Sequence, residues 1–190
     1  LVGQFNLRQG LEQLIKFEIE QAQKNKPAKI FLKMNSLQDK EMIDLLYYAS
    51  QQGVEIKMII RGICSLVPGV PGISTNIEAI SIVDRYLEHA RVFIFHNRGE
   101  EQIYLSSADW MERNLSYRVE TAFPIFDQDI KHEIHRLMLI QWGDNMKARK
   151  LQHKHVNEYV RNDGDFPNRS QEESYYFIKR KEELFTSQED

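Results

Sequence analysis

The chain has 190 residues, 42% of them hydrophobic, enough for one large domain or for a domain with a tail. Its 25 Lys plus Arg against 28 Asp plus Glu give a net charge of -3, which argues against a bulk nucleic-acid or membrane-surface binder; any anion site must be a local concentration of arginines. The single cysteine, Cys64, cannot form an internal disulfide, and with no signal-peptide pattern or long apolar run a reducing cytoplasmic setting is expected. A chain opening Leu1-Val2-Gly3 also reads as a piece of something longer.

In chain order, Asn6 is a candidate N-cap for a helix in which Leu7, Leu11, Leu14, Ile15, Ile19 and Ala22 recur at spacings of three and four, ended by Lys26-Pro27. Ile30, Leu32 and Met34 alternate with polar or aromatic neighbours as a strand. Asp39 is a second N-cap candidate, Met42 to Ala49 carries the next apolar face, and Gly53 stands where a left-handed helix terminus is expected. Val54 to Ile60 predicts a second strand. This alternation implies crossover units and a largely parallel sheet buried between helices. Leu66 to Thr75, with Pro68, Gly69, Pro71 and Gly72, predicts a rigid loop, and Ile77 to Glu88 fits helix or strand. Val92 to Phe95 and Gln102 to Leu105 predict a hairpin about Asn97-Arg98-Gly99-Glu100, Tyr117 to Ile125 another strand, and Asp127 to Trp142 a helix broken at Gly143. Residues 1–150 are expected to form the domain, and 151–190 a polar, partly ordered tail.

Arg61-Gly62 follows the second predicted strand, so Arg61 should emerge at the carboxyl edge of the sheet, where open α/β folds place ligands. His89-Ala90-Arg91 opens a later strand, and Ser106-Ser107-Ala108-Asp109 with Arg113 and Asn114 follows another. One proton-transfer group among guanidinium and hydroxyl donors is what phosphoryl chemistry requires, because the transferred group spreads negative charge over its oxygens. An arginine cluster around His89 needs an anion or carboxylates to answer it, and Asp84, Glu88 and Asp109 are the candidates. Arg61 could equally cap strand-end carbonyls or pair with a carboxylate, Arg118 could form a plain salt bridge, and Ser106 and Ser107 could be ordinary strand-end hydroxyls. Trp110 and Trp142 read as core or interface anchors, Cys64 as buried, and His132 with His135 as a solvated helix face without a third metal ligand; no metal site is expected. His153 and His155 read the same way in the tail.

The runs Arg61-Gly62-Ile63-Cys64, Leu66-Val67-Pro68-Gly69, Leu87-Glu88-His89-Ala90-Arg91, Tyr104-Leu105-Ser106-Ser107-Ala108-Asp109-Trp110-Met111 and Arg113-Asn114 resemble the last catalytic domain of bacterial polyphosphate kinase. More distantly, they resemble one half of the phospholipase D fold, with Arg91 where that pattern has Lys. The resemblance implies an α/β fold of phospholipase D-like type, with a largely parallel or mixed β-sheet and helices on both faces. It further implies reversible transfer of the terminal phosphate of ATP to inorganic polyphosphate through a phosphohistidine in the preceding domain. His89 would be catalytic, and Arg61, His89, Arg91 and Arg118 would bind ATP or phosphate. Magnesium would arrive with ATP on ligands outside this piece, and ATP, ADP, polyphosphate, the preceding domains and other copies of the chain would be the partners, nucleic acid not among them. A cytoplasmic location with membrane association left open and an isolated fragment without activity of its own complete the expectations; the alternatives are a non-catalytic nucleotide- or polyphosphate-binding and oligomerisation module, or a phospholipase D-like phosphodiesterase half-site.

Overall fold

A computed structural model describes residues 1–152, 157–161 and 166–186. Helix α1 (Leu7–Gln23) precedes strand β1 (Lys29–Met34), helix α2 (Lys40–Gln51) and strand β2 (Glu55–Ile60); β3 (Ile77–Ser81), β4 (Arg91–Phe95), β5 (Gln102–Ser106) and β6 (Ala122–Ile125) follow. Helix α3 (Gln128–Trp142), strand β7 (Arg149–Leu151) and helix α4 (Ser170–Thr186) complete the described chain. The seven strands form one sheet in the order β6-β5-β4-β1-β2-β3-β7.

The sheet is mixed. Only β1 with β2 and β2 with β3 run parallel, and the four other pairs are antiparallel. The expected crossover exists at β1-α2-β2. After β3, however, no helix carries the chain back to the opposite edge, so the next strand must start where β3 ended and run the other way. The connection, residues 82–90, crosses the carboxyl ends of β2 and β1 to reach β4, about 14 Å at ordinary strand spacing.

Both faces of the sheet are covered, so β1 is apolar on both sides apart from exposed Lys29 at its start and buried Lys33. Ile30, Leu32 and Met34 join Leu11 and Ile15 of α1 and Met42 and Leu46 of α2 in one core. Phe31 on the alternate face joins Ile59, Ile80, Val92, Ile94 and Met138 of α3 in the second. Asp39 caps α2 as expected, accepting from the Met42 N–H at 3.1 Å, and Asp127 caps α3 at Ile130, 3.0 Å. Asn6 makes no side-chain cap to α1; its Oδ1 accepts from the Val2 N–H instead. Gly53 has the left-handed φ of 95°. Trp110 is buried against Phe93, with ring centroids 5.3 Å apart, and Trp142 meets Phe31 edge-on at 5.7 Å, both as core anchors.

Ile77–Ser81 is strand, and the rest of the ambiguous stretch is the loop to β4. The strand expected over 117–125 is confined to Ala122–Ile125, because Arg113–Tyr117 forms a π-helical turn. Glu120, buried after this turn, accepts from the Asn114 amide at 2.6 Å and from the Ser107 hydroxyl, which pins the chain away from strand geometry. Past the core body, β7 pairs with β3, and α4 lies against α3. His153 and His155 lie outside the described residues. Among the described residues no helix is long and apolar enough to cross a membrane.

Candidate functional site

The topology gathers side chains that are far apart in sequence. Asn35 follows the carboxyl end of β1 and Arg61 that of β2; because β4 runs antiparallel to β1 and β5 antiparallel to β4, Arg91 at the start of β4 and Asp109 just beyond β5 arrive at the same edge. There they form one continuous chain of hydrogen bonds. Arg61 donates through Nε at 3.1 Å and Nη2 at 2.7 Å to Asn35 Oδ1. Asn35 Nδ2 donates to Asp109 Oδ1 at 3.3 Å, and Arg91 grips Asp109 with Nη2 to Oδ2 at 3.0 Å and Nε to Oδ1 at 3.2 Å. Arg91 Nη1 then donates to the His89 carbonyl at 2.9 Å and meets His89 Nδ1 at 3.0 Å.

Asp109 is the hub. Its carboxylate also accepts the backbone N–H groups of Asn35 and Ser36, at 2.8 and 3.2 Å. Burial opposes its charge, but Arg91 and these N–H groups outweigh that cost and hold the Asp109 carboxyl below the usual carboxylate range. Gly62 lets the β2 end come this close to Asn35: its N–H donates to the Asn35 carbonyl at 2.7 Å, and a Cβ there would stand 2.9 Å from that oxygen.

The His89 ring is exposed. Arg91 Nη2 also lies 3.3 Å from its Nε2, but a guanidinium can only donate and a neutral imidazole accepts through one nitrogen. Both ring nitrogens thus stand against one guanidinium, and which of them accepts depends on the tautomer. Arg61 keeps Nη1 without a protein acceptor among the described residues. The arrangement therefore presents an exposed imidazole and one guanidinium N–H at the same rim, which suits the oxygens of a phosphate.

Of the carboxylates expected to answer the arginines, only Asp109 does so. Asp84 pairs with Arg169, and Glu88 with buried Lys33. Burial pulls the Lys33 ammonium below its ordinary value against the opposing effect of Glu88, with nearby Arg61 adding to the depression. The two serines are not free donors. Ser106 Oγ donates to the Thr121 carbonyl at 2.8 Å and accepts from the Ala108 N–H, while Ser107 Oγ donates to Glu120. Arg113 and Arg118 are exposed at the π-helical turn, and among the described residues no hydrogen bond or ion pair joins the Arg118 side chain to the Arg61–His89 chain or to Glu120.

His132 is exposed, but His135 is not on a solvated face: it is half-buried, with Nδ1 2.8 Å from Glu101 Oε2. That hydrogen bond raises the His135 pKa above the ordinary histidine value. Cys64 is half-buried, and burial pushes its thiol up to about 11, so it is not a reactive thiolate near neutrality. Asn35, Lys33 and Gln171, each holding part of this site, were not singled out from sequence. Asn35 could have been found by the rule that finds Arg61, since it too stands just past the carboxyl end of a parallel strand.

A family model described as polyphosphate kinase C-terminal domain 2 matches residues 1–171. The polyphosphate kinase of Vibrio vulnificus (strain YJ016) is 48% identical over 182 residues, covering 96% of this chain and 26% of that protein. That of Escherichia coli (strain K12) is 45% identical over 183 residues, covering 96% and 27%. The chain thus spans about a quarter of the length of these relatives. A crystal structure of polyphosphate kinase from Porphyromonas gingivalis superposes with a TM-score of 0.94 at 46% identity, covering 97% of this chain and 28% of that one. NucT from Helicobacter pylori, at TM-score 0.53 and 12% identity over 73% of this chain and 91% of its own, shares the fold. So does Nuc from Salmonella typhimurium, a phospholipase D family member, at 0.51 and 15% over 72% and 90%. With the model match running through the whole edge from Asn35 to Asp109 and on to the first turn of α4, the chain belongs to the polyphosphate kinase family as its C-terminal domain 2.

Proposed function

We propose that this domain, within the full-length protein, supplies one half of a site that moves the terminal phosphate of ATP reversibly onto inorganic polyphosphate. The observation that carries the reading is the Arg61–Asn35–Asp109–Arg91–His89 chain at the carboxyl edge of the sheet. In this reading the γ-phosphorus–oxygen bond to ADP breaks as a phosphorus–nitrogen bond forms on a histidine of the preceding domain, and the phosphoryl group then passes to the terminal oxygen of the polymer.

His89 hydrogen-bonds or protonates the departing phosphate oxygen, and Arg61 neutralises charge through its free Nη1–H. Arg91 serves differently: its donors are held by Asp109 and His89, so it holds the ring at the edge and lends its charge from behind. Arg118, exposed beyond the π-helical turn, is carried as a phosphate contact completed by the preceding domain. The edge does not fit a magnesium site. The two nearby carboxylates are already occupied, Asp109 by Arg91 and backbone N–H groups and Glu88 by Lys33 and Gln171, so magnesium would come with ATP on ligands elsewhere. The proposal includes a cytoplasmic enzyme that assembles with further copies, with residues 1–150 as the body of this domain.

His89→Ala in the full-length protein should lower ATP-dependent polymer synthesis by more than about tenfold while leaving the fold intact. Near-normal synthesis would overturn the reading. The domain alone, given labelled ATP, should acquire no acid-labile phosphate; labelling would instead make His89 the nucleophile.

A further inference from the structure

The loop that carries His89 has no regular structure between Ser81 and Arg91, yet it is fastened at every second residue. Asp84 is held by Arg169 in a two-pronged pair, Nε to Oδ2 and Nη2 to Oδ1, both 2.7 Å. The Tyr86 backbone is gripped on both sides by one side chain: its N–H donates to Gln171 Oε1 at 2.9 Å, and Gln171 Nε2 donates to its carbonyl at 2.8 Å. Glu88 accepts from the same Gln171 Nε2 at 3.0 Å and from Lys33 Nζ, which also donates to Gln141 of α3. With Asp84 and Glu88 fastened inward, the neighbouring Arg85, Leu87 and His89 are left exposed.

The anchors are themselves fixed. Ser170, the first residue of α4, donates its N–H to Asp144 Oδ2 at 2.8 Å, and buried Asp144 accepts three further N–H groups, from Met146, Lys147 and Ala148. Asn168 and Asn145 bond each other reciprocally just before it, at 2.8 and 3.1 Å. The first turn of α4 is therefore a rigid fixture, and Gln171 spans the gap from it to the loop, imitating the paired hydrogen bonds of a neighbouring strand.

We propose that Gln171, supported by Arg169, is a positioning residue for His89: the start of α4 braces the loop 82–90 so that the imidazole meets Arg91 and faces the phosphate. This rests on the role given to His89 above. A nine-residue loop held only by its ends would sample many directions for that ring, and loss of alignment by about 1 Å can cost as much as a hundredfold in rate.

The test is a double-substitution cycle in the full-length protein, measuring kcat for ATP-dependent polymer synthesis in wild type, Gln171→Ala, His89→Ala and the pair. Gln171→Ala alone should lower kcat on the order of tenfold. In the His89→Ala background the same substitution should change kcat by less than about twofold, since a residue that acts through His89 has nothing left to position. A purely structural contribution would instead lower both backgrounds equally, and that result, or an unimpaired single variant, overturns the proposal. If His89→Ala itself is active, the functional reading fails; if it is impaired while Gln171→Ala is normal, only the brace fails. Should the alanine variant not fold, Arg169→Lys, which keeps the charge on Asp84 and loses the fork, runs through the same cycle with the same criteria.

Discussion

Replacing Asp109 by Asn removes one charge and almost no volume, which isolates the electrostatic work of the hub. The Asp109 and Arg91 side chains are each only 11% exposed, so the pair is screened little by solvent. Four N–H donors from Arg91, Asn35 and Ser36 converge on the carboxylate, with a fifth from the Asn35 amide. An amide offers one oxygen and turns an NH2 toward donors at the other position, so at least one N–H loses its acceptor and Arg91 keeps a charge without its partner. Breaking a buried pair on one side costs about 3–5 kcal/mol, and an orphaned buried N–H about 1–3. The groups share one carboxylate and the rim is open to water, so the lower end, about 3 kcal/mol, is expected. For a domain of this size that corresponds to a fall of roughly 6–12 °C in Tm. Urea unfolding of the wild type and Asp109→Asn at neutral pH measures it. The difference should shrink on acidification: the depressed Asp109 pKa contributes stability above the ordinary value of about 3.9, which is lost as pH falls through the lower folded-state value. A loss below about 1 kcal/mol at neutral pH, or one that persists unchanged at the acid limit, would refute the assignment of Asp109 as a charged, buried hub.

Arg61→Lys keeps the charge but cannot place two donors on Asn35 while offering a third outward; ATP affinity of the full-length protein should fall by about tenfold or more in a binding titration, and equal affinity would remove Arg61 from the site. The His135–Glu101 pair should act in the opposite pH direction from Asp109. Because the folded-state His135 pKa is raised, its stabilisation is fully present below about 6.5 and is lost as pH rises through the higher folded value. His135→Gln should therefore reduce stability at pH 5.5, by no more than about 1 kcal/mol for a partly exposed pair, and be close to neutral at pH 8.5; equal effects at both would contradict the pairing.

Local patterns in the sequence carried the elements. Spacings of three and four placed α1, α2 and α3, Asp39 and Asp127 announced their helices by capping chemistry, and the turn about Asn97 to Glu100 marked the β4–β5 hairpin. Arg61 at a sheet edge was legible too, because a strand followed at once by Arg-Gly has little other place to put that side chain. Where local and distant demands competed, the distant ones prevailed: Glu120 accepting from Asn114 and Ser107 shortened β6, and the loop after β3 made the sheet mixed.

What the chain by itself determined, then, was its periodicities, its caps, its family resemblance and the residue types available for phosphate chemistry. Tertiary structure alone decided that Asn35 bridges Arg61 to Asp109, that Arg91 spends its donors on Asp109 and His89, and that Gln171 reaches Tyr86 and Glu88 across more than eighty residues. The reason is physical. A helix or strand is written in neighbours a few residues apart, whereas a hydrogen-bond chain across strand ends depends on sheet order and direction, which arise only when distant strands pair.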